Sequence, residues 1–462
     1  MVIIMDALLK NFDDKKISEI SKANSEPQWL KDFRLSSFEL FKKLPVEKSE
    51  LFKKYVNLEG VEWQDFDSGD PKPEKIPDEL EFIVSEKTSL VCCNSRIVES
   101  KKFDNVIFLD IASAVERYPE LCNNYFTNKI LKPDESKAAA FNSAFFNSGY
   151  FLYVPDNKLI DAPLRIINIA TPNNSALVSQ NIIIIGKNSK ATLIEENYST
   201  IKSNALVSTA TDVHVLDNGE LTFGNVTSLG ENTIQILNKK VLLENYSKIF
   251  CSSGFFGSAQ TLSNIDYVLR GNESEVDDFE IVFGTASQKF MNSANLFHEG
   301  VGTKGKVMAK GVFDDKSKGL FKGMINIGKN AKNSNAYLSG HSILLSKDAS
   351  SDAIPGLQIE TNDVKATHSA SVAQINEEEI FYLMSRGFSK KEAQKLIVSG
   401  FFEPVIRKIH LPEVAFIIKG LFEIKWNKQD ISKLKQVIDK ISDDYAEDET
   451  SEDIFEGHYK YR

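Results

Sequence analysis

The chain has 462 residues, 42% of them apolar and 26% charged, and a formal net charge of −10. That length fits two or three domains with a sizeable core. The acidic balance excludes a nucleic-acid binder, which needs a concentrated basic face, and no run approaches the ~20 apolar residues of a membrane-spanning helix. The opening MVIIMDALLKNFDDKK has neither the basic lead nor the small-residue cleavage site of a secretory signal. The chain is therefore expected in the cytoplasm.

Residues 1–80 read as a helical region followed by a linker. In SEPQWLKDFRLSSFELFKKL the residues Trp29, Leu30, Phe33, Leu40, Phe41 and Leu44 recur near a 3.6-residue period, with Leu35 and Phe38 off the stripe. Pro45 ends that helix. Pro71, Pro73 and Pro77 stand among charges, a linker composition.

From 81 to 375 the texture changes. Short β-branched runs such as GYFLYVP, LRIINI, TDVHVLDNGELTF and KVLLENYSKIF alternate with Asn/Gly/Ser turns. The hexapeptides IGKNSK (185–190) and IGKNAK (327–332) nearly repeat, and LDNGE, LENYS, RGNES and GVGTKGK lie between them. The turns step by roughly 27 to 32 residues, a period typical of repeat architectures. A strand–turn unit of that size buries both faces only by stacking on its neighbours. The expectation is a mainly β chain built on a right-handed parallel β-helix with helical regions at both ends. A Greek-key sandwich would show similar turn density.

Residues 376–440 read as helices. Asn376 is a candidate N-cap before three glutamates, and Gly387 suits a left-handed helix end. Ser389 and Glu392 form a capping box opening a helix expected to stop at Gly400. A further helix is expected before Pro412, and DISKLKQVIDKI after it. Residues 441–462 form an acidic tail.

Cys92, Cys93, Cys122 and Cys251 make no C-x-x-C pair, so neither a zinc knuckle nor a redox motif is present. They read as small buried hydrophobes in a reducing compartment. No Walker loop, Rossmann fingerprint, H-E-x-x-H or G-x-S-x-G elbow occurs. The six histidines are scattered.

The stretch 344–397 resembles the C-terminal core of the SufB/SufD family of iron–sulfur cluster assembly proteins. The landmarks are Asp352, Ile354 and Pro355, then DVKATHSASV (Asp363 to Val372), then FYLMSRG (Phe381 to Gly387). The resemblance continues through KGVFDDKSKGLFKGMINI (310–327) and EPQWLKDFRLSSFELFKKLP (26–45). SufB-type chains carry sulfur-accepting cysteines in mid-helix and before the final strand pair. VLLENYSKIF (241–250) and the surroundings of Ser339, Gly340 and His341 have none, and Cys251 lies off the matching position. A SufD-type subunit is the closer resemblance.

The resemblance implies a non-enzymatic scaffold that pairs with a SufB-type subunit and docks the SufC ATPase through residues 376–440. His368 matches a histidine contributed to a transient iron–sulfur cluster shared across the subunit interface, and imidazole suits iron. Ala366 stands where SufD-type chains often carry a cysteine. Tyr382, Arg386 and Phe388 are the candidates for the SufC-facing surface. A homodimer is a further implied state; nucleic acid and membrane are not partners. Two other readings stay open: a SufB-type subunit working with SufC alone through Cys251, and a β-helical carbohydrate-active enzyme, for which no cluster of acids and bases stands out.

Overall fold

The computed structural model describes residues 11–45, 54–56, 66, 76–85, 88–93, 96–100, 106–171, 175–199 and 204–442. Pro71, Pro73 and the acidic run of the tail lie outside them.

Two long sheets, of ten and nine strands, face each other across a shared interior. Within each, a strand pairs in parallel with the strand two places on: Ser175–Ile185 with Ala205–Val215, that with Ile234–Leu243, and so to the last coil. The result is a parallel β-solenoid of about seven turns, the stacked parallel arrangement that was predicted.

The turn chemistry explains the period. Asn157, Asn188, Asn218, Tyr246, Glu273, Gly302 and Asn333 all have φ between 55° and 71° and recur every 27 to 31 residues. At each, the backbone N–H donates to a carbonyl of the next coil at 2.6–3.0 Å. Asparagine tolerates this left-handed geometry better than most residues. Consequently the second hexapeptide is not equivalent to the first: its left-handed residue is Asn333, beyond the IGKNAK run, whereas Asn188 lies inside IGKNSK.

Alternation does the rest. In the nine-stranded sheet Val213, Val241, Tyr267, Leu296 and Ile325 stack in register toward the interior. Opposite them stack Phe223, Cys251, Asp278, Val307 and Leu338. All ten are essentially inaccessible to solvent. Burying each large apolar side chain contributes roughly 1.5–3 kcal/mol, and no single coil could enclose them.

The outer faces are covered by helices. Asp14–Ala23, Gln28–Lys43 and Lys137–Phe145 pack on the first coils of the nine-stranded sheet. Phe38, off the predicted stripe, is 2% exposed, because helix Lys137–Phe145 covers a wider face than a single stripe. Three helices, Ile111–Arg117, Pro119–Thr127 and Lys137–Phe145, lie among the early strands where sequence reading expected only strands. Their segments are short, and their apolar residues pack partly on one another.

At the C-terminal side, Asn376 caps helix Glu377–Ser385, and Gly387 takes φ +101° just beyond it. The Ser389–Glu392 box opens the next helix, but that helix runs on through Gly400 to Ile406. Phe402, Val405 and Ile406 bury against the ten-stranded sheet and outweigh the helix-breaking tendency of glycine. Pro412 opens helix Pro412–Trp426 rather than following one; proline is favoured in the first helical turn.

Candidate functional site

The two ends of the solenoid differ. At the N-terminal end the edge strands, Arg96–Ser100 and Ile107–Asp110, are short and antiparallel to their neighbours. At the other end, Ser350–Ile359 and Lys365–Gln374 are each paired on one side only among the described residues. Each therefore presents a row of unused backbone donors and acceptors.

The interior columns run out onto this edge. Leu357 continues the column of Leu296 and Ile325, and Ile359 that of His298 and Ile327. The preceding residues are buried, whereas Leu357 and Ile359 are 38% and 43% exposed because no further coil covers them. Val372 on the facing strand is likewise exposed.

His368 belongs to the same surface. It pairs in register with Leu338, which follows Val307 in the interior column. Ala366, two residues earlier on the same side, packs on the interior cluster. His368 is exposed, so its imidazole is presented at the open mouth of the solenoid. On the opposite face of that strand, His341 holds it in place. Its Nδ1 lies 2.7 Å from Ser371 Oγ and its Nε2 3.2 Å from Ser369 Oγ. Burial, with the nearby Lys310 charge, lowers the His341 pKa, so the ring is neutral at pH 7 and pairs with hydroxyls.

The helical hairpin begins two residues after the edge strand. Ile375, Ile380 and Ala393 anchor it to the last coils. Among the hairpin's apolar residues, Ile380 and Ala393 are core, while Met384 and Leu396 face solvent. Tyr382 and Phe388 are exposed, and the Arg386 guanidinium stacks 5.1 Å from the Tyr382 ring. Phe381, at 74% the most exposed large apolar residue of the described chain, extends this surface and was missed by sequence reasoning. Its signal was available: it flanks the buried Ile380 on a helix whose other positions are largely exposed.

Two ties make edge and helices one body. Lys425 donates to Phe256 O and Gln288 Oε1 at 2.7 Å, and to Phe283 O. Burial pulls its pKa down to about 7. A Cβ at Gly254 would lie 2.9 Å from Ile418 Cγ1, so that helix sits almost on the sheet backbone. On the other sheet, Tyr55 is fully buried against Met291 and Leu320, and its hydroxyl donates to Asp352 on the last strand. Nothing in the sequence signalled that contact, which joins residues 297 positions apart.

All four cysteines are buried, as expected, and none is in a disulfide; Cys92 faces the interior and Cys93 the outer core. Burial pushes the thiols of Cys92, Cys122 and Cys251 up to about 12. None of the three is a thiolate at neutral pH. Cys251, 1% exposed, is unsuited to accept sulfur from outside the folded chain.

The family model described as "SUF system FeS cluster assembly, SufBD core domain" matches residues 167–401, and "SufBD protein N-terminal region" matches 80–166. The chain belongs to the SufBD family. The iron–sulfur cluster assembly protein SufD of Bacillus subtilis (strain 168) is 28% identical over 426 residues, covering 89% of this chain and 98% of that protein. An iron–sulfur cluster assembly SufBD family protein of Staphylococcus epidermidis (strain ATCC 12228) is 27% identical over 412 residues, covering 85% and 88%.

The SufBD core match spans nearly all of the solenoid and the helical hairpin. It thus includes every site residue predicted from sequence: His368 at the edge, and Tyr382, Arg386 and Phe388 on the hairpin. The structure brings these into two neighbouring surfaces rather than one pocket. No helix among the described residues is long and apolar enough to cross a membrane.

Proposed function

We propose that this SufBD-family chain is a SufD-type, non-enzymatic scaffold in the cytoplasm, whose open solenoid end pairs with a SufB-type subunit. The observation that carries the proposal is the uncovered last coil, with Leu357, Ile359 and Val372 exposed in columns that are buried everywhere else. A second solenoid meeting it edge to edge would extend both sheets and cover the apolar mouth, a strand-addition mode of recognition. A second copy of this chain would satisfy the same surface, giving a homodimer in the absence of the SufB-type relative.

His368 would face that partner across the closed junction. Neutral imidazole is a competent iron ligand, and thiolates from the partner would complete the site. The cluster is the product being built, shared and transient. With Ala366 beside it, His368 is the only ligand candidate of the DVKATH element. His368→Ala, co-expressed with SufB-type and SufC-type partners, is expected to leave the complex intact. It should lower retained iron and sulfide at least about tenfold, on the scale of a disrupted metal site. Unchanged iron and sulfide would reduce His368 to a contact residue.

The hairpin surface of Phe381, Tyr382, Arg386 and Phe388 would dock the SufC ATPase. Aromatic and arginine side chains dominate such contacts. Because helix Glu377–Ser385 starts two residues beyond the edge strand, movement of a docked ATPase would pull directly on the strand carrying His368. Phe381→Ala should weaken SufC binding by about 2 kcal/mol, roughly 30-fold. Calorimetry with purified SufC checks this, and unaltered affinity would move the docking face elsewhere.

The reading of Cys251 as a sulfur acceptor is disfavoured by its burial and protonated thiol. Nothing favours the carbohydrate-active reading.

A further inference from the structure

We propose that Asp278 and Glu280 form a buried site that holds a proton between them inside the solenoid at neutral pH. They are alternate residues of strand Glu275–Gly284, so both side chains point into the interior. Both are fully buried. Neither oxygen of Asp278, nor Oε1 of Glu280, has a hydrogen-bond partner among the described residues. Only Glu280 Oε2 is satisfied, by Asn292 Nδ2 at 3.1 Å.

The charge count makes two carboxylates untenable. The titratable groups nearest the pair are Cys251 from the adjoining strand, Tyr267 and Lys239 from the opposite sheet, and Asp277 beside Asp278 on their own strand. Lys239 is the only cation among these, and its ammonium lies 3.7 Å from the centre of the Phe223 ring. Lys239 is also drawn toward a third interior carboxyl, Glu195. An ionised, unpaired carboxylate in such a site costs several kcal/mol, and taking up a proton avoids that cost. Burial accordingly holds both groups above the ordinary carboxylate range, and the charge of Asp278 raises Glu280 further. The bound proton also turns one orphaned oxygen into a donor for its neighbour.

A small cavity adjoins Glu280. A cavity of about 20 Å³, room for one water, is lined by Glu280, Asn292, Lys310, His341, Ser342 and Ser351. His341 is partly exposed, and Asn292 Oδ1 is another unpartnered acceptor. A water there would connect Glu280 to the outside without opening the coil.

The sign follows from linkage. The folded chain keeps a proton that the unfolded chain releases near pH ~4, so the pair's contribution to stability is full at low pH and is lost as pH rises through neutrality. Denaturant midpoints of the full chain at pH 6 and pH 8.5 test this. The native protein should lose midpoint on going to pH 8.5, and Glu280→Gln should flatten most of that loss and exceed the native midpoint at the higher pH. An equal slope in both would overturn the proposal. A millimolar Mg²⁺ or Mn²⁺ stabilisation of the native chain that E280Q lacks would overturn it too, by placing a cation where the proton is assigned. Should the variant fail to fold, infrared spectra of the native chain decide. A protonated carboxylic-acid carbonyl band present at pH 7 and bleached at high pH supports the site, and its absence at pH 7 overturns it.

Discussion

Replacing Leu357 and Ile359 together by aspartate is expected to leave the chain folded yet unable to pair at its open end. Both side chains are already more than a third exposed, so the isolated subunit loses little burial on substitution. In the paired state they would lie at the centre of a dry junction between two solenoids. Two uncompensated carboxylates there cost several kcal/mol each. Affinity for a SufB-type subunit should therefore fall at least about a thousandfold, each factor of ten being about 1.4 kcal/mol. The comparison is Ile354→Asp, on the same strand but pointing to its outer side, which should have a much smaller effect. Co-purification and analytical ultracentrifugation read the outcome. A double variant that still forms a stable complex would mean that this end of the solenoid is not the pairing surface.

The second large effect is on stability. Arg34 is wholly buried, and its guanidinium meets Glu26 in a two-pronged pair, Nε to Oε2 at 2.8 Å and Nη2 to Oε1 at 2.6 Å. Its Nη1 donates to Phe146 O at 2.8 Å and Ala144 O at 3.2 Å, and the plane stacks 3.6 Å from the Phe146 ring. One side chain thus fastens the entry helix Gln28–Lys43 to the end of helix Lys137–Phe145. Glu26→Ala strands the positive charge in that site and should destabilise the protein by about 3–5 kcal/mol. A double change of Glu26 to alanine and Arg34 to methionine should recover part of it, since no charge is then left unpaired. By contrast, Glu19→Ala, which removes a solvent-exposed pair with Lys15, should change stability by less than about 1 kcal/mol. Denaturant unfolding monitored by tryptophan fluorescence measures all three. Equal effects of the Glu26 and Glu19 substitutions would refute this account.

The repeat was legible because its causes are local. A left-handed turn residue every 27 to 31 positions is a constraint on single residues, and Asn188, Asn218 and Asn333 carry it in their side-chain chemistry. Strand alternation is equally local, and the strands around 150–154, 164–170, 205–215 and 234–255 follow the apolar pattern. The capping residues Asn376 and Ser389 act within one turn, and both formed as expected. Failures occurred where a distant surface overrode local preference. Helix Lys390–Ile406 passes through Gly400 because Phe402 and Val405 find the ten-stranded sheet. The helices between 111 and 145 owe their packing to Phe38, Phe41 and Leu30, about a hundred residues earlier.

For the site, sequence placed His368, Tyr382, Arg386 and Phe388 in the region now seen as the open end and its hairpin. It did so through motif resemblance, and periodicity alone would not have singled them out. What it missed are the contacts that give those residues a setting: Phe381 beside Tyr382, His341 bracing the strand of His368, and Tyr55 reaching Asp352. It also missed the interior acids: Asp278 and Glu280 stand in a strand rich in charges, and no local pattern marks them as buried.

Turn spacing, residue alternation and helix caps by themselves determined a repeating β chain with helices at its ends and favoured a parallel β-solenoid, because each acts over a few neighbouring residues. Only the tertiary structure decided which columns are sealed and which emerge at a bare edge. Burial at Leu357, Ile359 or Asp278 depends on whether another coil lies above it. That is a property of the stack's beginning and end, and no local pattern encodes it.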